Sequence, residues 1–424
     1  MRDTKRYTLL AIVILLISST VSLTNADTST TKIKRWTLMV YEDADWPDPF
    51  DPINLILVEM RSTDNLDIVV LNDNLSGGGK IWYITKDHKK TLLADWGEVN
   101  MGNYTTLRDF IIYCKSNFPS KGYLLVIQGH GGGWLGACWD YTNNRDHLSM
   151  YEIKKALVES GGVDILGFTS CFMGAIESVY ELRNVTKVYI GSEEETMSGP
   201  WPLSEIVRIL DKSNDKSVYD VAKSIIRAFS MNNKPIVKHI YRFKHLILFC
   251  KAIHSLPRPF LLPTMSAVRT DKISDLAKSI DNLSIYLISN FNQLEPWICL
   301  ARIKSMSFPK YSEEKHRVRV IPLGDFVDIY SFLKQMNRLY IRITHPKLAK
   351  LIQDAEEKFR EAMISNYHDI GYSRAHGLTI FFPLSNEYDI LEDYGKAKLD
   401  FVDDTHWYDF LAIYLGEAGR GEQP

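Results

Sequence analysis

Apolar residues in the first half of the chain fall in short runs bounded by turn formers. The runs at 36–42 (WTLMVYE), 67–73 (DIVVLND), 81–85 (IWYIT), 122–128 (GYLLVIQ), 163–169 (VDILGFT) and 187–191 (KVYIG) are rich in β-branched and aromatic side chains. Their length and composition predict strands. Between them the period changes. Residues 106–117, 150–159 and 172–183 space their apolar positions at helical intervals, which turns one face of each towards a core. Strands alternating with helices predict an α/β fold with a mostly parallel sheet flanked by helices. In such sheets, sites form beyond the carboxyl ends of the strands. The second half reads as more helical: 216–231, 270–281, 345–366 and 404–415 predict helices, and 376–383 a further strand.

The N-terminus follows a different pattern. Residues 1–6 carry three positive charges, 8–23 are almost wholly apolar, and Thr24-Asn25-Ala26 supplies small residues. That layout predicts a secretory signal cleaved after Ala26; uncleaved, its apolar stretch approaches membrane-spanning length. No other stretch is long and apolar enough to cross a bilayer. The expected organisation is a signal at 1–26, a core at 34–215, and a C-terminal region at 216–424, mixed α/β and helical, packed on the core. An exported protein, secreted or held by its uncleaved signal, can form disulfides. The five cysteines (114, 138, 171, 250 and 299) leave at least one thiol unpaired if every disulfide is internal. Asn74, Asn103, Asn184 and Asn282 each open an Asn-x-Ser/Thr triplet, a glycosylation acceptor. Fifty Lys and Arg against 52 Asp and Glu, with no long basic run, argue against nucleic acid as the main partner.

Two constellations carry candidate chemistry. The strand at 122–128 runs into Gly129-His130 and the glycines 131–133. Glycine lets backbone approach a ligand closely, and an N–H beside such a histidine can donate to a developing oxyanion. The strand at 163–169 ends in Ser170-Cys171, with a predicted helix opening at once. A thiol at a helix N-terminus has its thiolate stabilised by unpaired N–H groups. One helix separates the two strands, and a right-handed crossover would lay them side by side. Taken singly, a cysteine after a buried strand is usually a small core residue, and a glycine triplet a turn; the pairing at two strand ends favours chemistry. Other hydrolase and cofactor signatures fail. The chain has no Gly-x-Ser-x-Gly elbow to accompany His-Gly-Gly-Gly and no His-Glu-x-x-His. Gly131, Gly133 and Gly136 have dinucleotide-binding spacing but are followed by Trp134-Leu135 and a polar stretch rather than by a helix.

These residues resemble the clostripain family of cysteine peptidases, which shares its core with caspases, legumains and gingipains. The likeness runs through Trp96–Gly102, Tyr123–Trp134, Asp164–Met173, Ser192-Glu193-Glu194, Ala375–Pro383 and Thr405–Leu411, most of residues 34–415. It implies a caspase-like fold and endopeptidase activity on protein or peptide substrates. His130 would be the base and acid, Cys171 the nucleophile, and the Gly131 and Cys171 N–H groups the oxyanion hole. That chemistry requires no metal or organic cofactor. Calcium activates some relatives, and Asp43, Asp45 and Asp48 are the acids that would bind it here. Members that cut after Arg or Lys carry Asp two residues before the cysteine, where this chain has Thr169, and an acid near a Gly-Trp pair, where it has Ser198-Gly199-Pro200-Trp201. Thr169, Glu193, Glu194, Glu195 and Trp201 are therefore the candidate substrate-binding residues, with at least two of the three glutamates expected in solvent. Some relatives cleave themselves between the catalytic residues; Arg145 is the basic residue of that loop. Cys138 is expected to be structural, as a disulfide partner, and the chain to be a monomer. Two other readings remain: a caspase-like binding protein without turnover, and a dyad hydrolase or transferase acting on non-peptide amides.

Overall fold

The computed structural model describes residues 33–44, 60–75, 77–196, 201–231, 264–308, 311–314, 317–320, 324–385 and 389–416. The expected signal, Asp45, Asp48, residues 198–200 and Cys250 lie outside the described residues.

The chain opens with strands β1 (Lys34–Ala44), β2 (Leu66–Asn74), β3 (Gly79–Ile84), β4 (Lys90–Gly97) and β5 (Ser120–Gln128). A small hairpin of β6 (Ala137–Asp140) and β7 (Asp146–Leu148) follows, then β8 (Val163–Phe168), β9 (Thr186–Gly191) and β10 (Thr264–Arg269). Later come β11 (Ser307–Phe308), the hairpin β12 (Tyr311–Glu314) and β13 (Arg317–Val320), β14 (Phe326–Asp328), β15 (Met363–His368) and β16 (Thr379–Phe381). Nine of these make one sheet in the order β15-β10-β9-β8-β5-β1-β2-β3-β4. Its middle, β2-β1-β5-β8-β9, is parallel throughout, and antiparallel strands extend it on both sides. The sheet takes strands from both sides of residue 215.

The strand sequences explain the layering. In β1, Leu38 and Val40 enter one core while Met39 and Tyr41 enter the other, and all four are buried. A strand covered on both faces reads as a continuous apolar run, not as an alternation. On one face lie α1 (Tyr104–Asn117), α2 (Met150–Glu159) and α3 (Ile176–Glu181). On the other lie α4 (Leu203–Asp211) and α5 (218–231). Helices α6 (Thr270–Ser289), α7 (Phe291–Lys304), α8 (Ile329–Met336), α9 (Leu339–Thr344), α10 (Pro346–Ala362), α11 (Ile390–Lys396), α12 (Asp400–Asp404) and α13 (Trp407–Tyr414) complete the first layer. Helix α2 starts where Ser149 and Glu152 exchange capping hydrogen bonds.

Three expected elements differ. The helix expected over 345–366 ends at Ala362, and Met363–His368 become the edge strand β15. The closing helix expected over 404–415 is α13, starting only at Trp407 after the separate short helix α12. The helix expected over 172–183 is reduced to Ile176–Glu181, with consequences for the thiol.

Candidate active site

The two constellations meet. Strands β5 and β8 are neighbours in parallel register, with Ile127 opposite Phe168. His130 and Cys171 leave the carboxyl ends of these strands. Their loops touch: a Cβ added to Gly131 would stand 2.3 Å from the Cys171 carbonyl oxygen and 2.7 Å from its backbone nitrogen. Any side chain at 131 would force the loops apart, so glycine is what brings the two backbones together. Gly129, at φ +148, makes the turn out of β5.

The His130 side is open. His130 is exposed, and its ring lies 6.0 Å from that of Tyr141 in the β6–β7 loop. Its carbonyl accepts from Cys138 N at 2.9 Å. Cys138 itself is buried at φ +58, its sulfur 3.6 Å from the Gln128 carbonyl. It is a free thiol, which corrects the disulfide expected for it. Arg145 is exposed beyond β6 and lies over the Tyr141 ring.

Cys171 is a free, half-buried thiol. It is not at a helix N-terminus as expected, because α3 begins five residues later. The intervening amides are captured from elsewhere: Phe172 N donates to Glu194 O (3.3 Å) and Gly174 N to Ser192 O (2.6 Å), while Gly174 O accepts from Thr379 N (2.8 Å). Phe172 adopts φ +61 and stacks on Phe326. Thr196 is the sulfur's nearest polar neighbour, its backbone N–H donating at 3.3 Å, while its hydroxyl donates to the carbonyl of Thr169. Thr169 N in turn donates to Ile127 O at 3.1 Å. Burial pushes the Cys171 thiol up to about 11; the Thr196 N–H opposes this, and the charges of Glu195 and Glu194 add to it. The resting sulfur is therefore protonated.

The three glutamates differ. Glu193 (1% exposed) and Glu194 (0%) are buried, which corrects the solvent-exposed loop expected for at least two of them. Glu193 accepts from Gly377 N at 2.8 Å, and Glu194 from Glu195 N at 2.9 Å. Burial raises both carboxyls. Glu195 is only partly buried. Trp201 is buried on the α4–α5 side of the sheet, packed where a Cβ on Gly167 would meet it at 2.6 Å. Thr196, Tyr141 and Phe326 were not among the sequence candidates, and no local pattern marks them.

Of the acids considered for calcium, Asp43 is fully buried. A different trio, Asp73, Glu98 and Asp140, brings carboxylate oxygens within 4.8 Å of one another and could hold a cation. Asp140 already accepts from the Met101 and Asn143 backbone, each at 2.8 Å, and from the Thr142 and Asn143 side chains.

Fold and loop placement together define the class: a caspase-like α/β protein whose chemistry-bearing side chains stand beyond the carboxyl ends of adjacent parallel strands. The sequence model of the clostripain family matches residues 51–414, and the chain belongs to that family of cysteine peptidases. It is 39% identical over 100 residues to clostripain of Hathewaya histolytica, a match spanning 20% of this chain and only 19% of that protein. The fold is similar to a secreted C11 cysteine protease of Bacteroides thetaiotaomicron, solved with an irreversible peptide inhibitor. That likeness has a TM-score of 0.66 at 15% identity, over 88% of this chain and 99% of the other. An inactive zymogen C11 protease of Parabacteroides distasonis is similar with a TM-score of 0.60 at 14% identity, over 88% and 98%. Among the described residues no helix is long and apolar enough to cross a membrane.

Proposed function

We propose that this protein is a secreted cysteine endopeptidase working through His130 and Cys171. The observation that carries the reading is the backbone contact of Gly131 with Cys171 at the ends of adjacent parallel strands. His130 takes the thiol proton as the sulfur attacks the scissile carbonyl carbon. The oxyanion then meets the Gly131 and Cys171 N–H groups, and the amine leaves with the proton that His130 returns to it. Water, deprotonated by His130, hydrolyses the acyl-enzyme. A thiol raised to about 11 needs this base at the moment of attack. The steps call on no metal or organic cofactor.

Glu195 is the acid best suited to meet a basic P1 side chain. It is the one of the three glutamates that is not fully buried, and its charge reaches Cys171. Residues 1–26 direct export, the mature chain works as a monomer, and self-cleavage follows Arg145, which the loop between β6 and β7 exposes. The test is a thiol-reactive peptide probe together with a diverse peptide library. Wild type should label and cleave; Cys171→Ala should do neither, while Cys138→Ala should still label. Labelling that persists in Cys171→Ala would sink the assignment, and labelling with every peptide left intact would favour a non-peptide amide substrate.

A further inference from the structure

The motifs Ser192-Glu193-Glu194 and Ala375-His376-Gly377 play no part in the dyad chemistry, yet the fold joins them. Glu193 lies in the loop whose next residues hold the cysteine turn, Glu194 O accepting from Phe172 N and Thr196 N donating to the sulfur. Its backbone N–H donates to Thr264 Oγ1 at 3.0 Å. Its Oε2 accepts from Gly377 N at 2.8 Å. Its carboxyl is close enough to that of Asp328 to feel it directly, and no donor reaches its buried Oε1. Asp328, fully buried at the end of β14, meets donors on both oxygens. Oδ1 accepts from Ser331 N (2.5 Å) and faces His376 Nδ1 (2.9 Å); Oδ2 accepts from His376 N (2.5 Å). Two carboxyl groups can share a hydrogen bond only while one keeps its proton. Asp328 already meets two backbone donors, Ser331 N and His376 N, whereas none reaches Glu193 Oε1. Glu194 is the other charge felt by Glu193, and Tyr372 hydrogen-bonds Glu194 in turn.

We propose that Glu193 is a positioning residue, held as a neutral acid that donates to Asp328 and accepts from Gly377, and that this joint fixes residues 194–196 against Cys171. The inference rests on the reading of Cys171 as nucleophile. Burial first, then the Asp328 charge, hold the Glu193 carboxyl well above the ordinary range, in keeping with this role. It also removes Glu193 from the anions able to meet a basic P1 side chain.

The test compares Glu193→Gln, Glu193→Ala and wild type between about pH 5 and pH 9. Glutamine keeps both the donor and the acceptor of a neutral acid. Glu193→Gln should hold kcat/KM at about pH 6 within about threefold of wild type, whereas Glu193→Ala should lose about 10–100-fold, mainly in kcat. Wild-type kcat should fall on the alkaline side where Glu193 loses its proton, and the glutamine variant should lack that fall. A second measurement does not need turnover. A carboxyl raised on folding costs stability as pH climbs above its unfolded value, so Tm of Glu193→Gln minus Tm of wild type should widen from about pH 5 upward. A glutamine variant as impaired as the alanine variant, with KM rising for basic P1 substrates, overturns the proposal. So does a Tm gap that ignores pH. Should wild type show no peptide turnover while the gap still widens, the neutral joint stands and the peptidase reading falls.

Discussion

The two loops that carry His130 and Cys171, the proposed dyad, are built on opposite plans. The Cys171 loop is held by hydrogen bonds to segments far away in sequence: Ser192, Glu194 and Thr196 on one side and Thr379 on the other. The His130 loop, in which His130 itself is the exposed residue, is composed largely of glycine and anchored through backbone bonds to the nearby residues Cys138 and Gly136. A nucleophile has to be aimed at one point, and misplacement of about 1 Å can cost about 100-fold. A base that takes a proton from sulfur and later hands it to an amine serves two positions, and an exposed ring has the room to do so.

The largest test of this contrast removes the exposed partner. His130→Ala should lower kcat by about 1,000-fold or more while leaving Tm near that of wild type, because the side chain is exposed. Turnover at the wild-type rate would show that the base lies elsewhere. Next comes the contact between the loops. Gly131→Ala places a methyl group 2.3 Å from the Cys171 carbonyl oxygen and should cost about 100-fold in kcat/KM. An unimpaired variant would mean that the loops can part without loss.

The resting thiol gives a smaller, sharper measure. With the thiol raised to about 11, iodoacetamide should modify substrate-free Cys171 at pH 7 about 10–100-fold more slowly than a free cysteine. The rate should still be climbing above pH 9, since a raised thiol becomes thiolate only near its own pKa. A plateau below pH 7 would instead reveal a preformed thiolate–imidazolium pair. The smallest effect is expected at Thr196. Thr196→Ala keeps the backbone N–H that donates to sulfur and loses the hydroxyl, which bonds the Thr169 carbonyl and lies 3.9 Å from the sulfur; this should reduce kcat about two- to fivefold. A loss as large as that of Gly131→Ala would make the hydroxyl itself part of the machinery.

The same contrast explains what the sequence could reveal. The central strands are continuous apolar runs, so they and the residues at their ends were legible locally. So was the glycine cluster around His130. The Cys171 loop was misread as the first turn of a helix because the groups that capture its amides sit at 192, 194 and 379, and no local pattern announces them. Glu193 and Glu194 look like solvated loop residues for the same reason: Thr264, Asp328 and Gly377 are what shelter them or partner their loop. Strand β4 escaped notice because it lies at the edge of the sheet with a largely exposed, polar sequence. Strand β15 was hidden as the apparent last turn of α10.

The pairing of Ala175 with Thr379 sets an order of events during synthesis. His130, its glycines and Cys171 emerge early, but the segment that braces the cysteine turn and seats Glu193 is made some two hundred residues later. Until that segment arrives, the cysteine turn has only the brace from residues 192–196. The far brace of the cysteine turn thus waits until residue 379 has been translated, a delay that comes from connectivity alone.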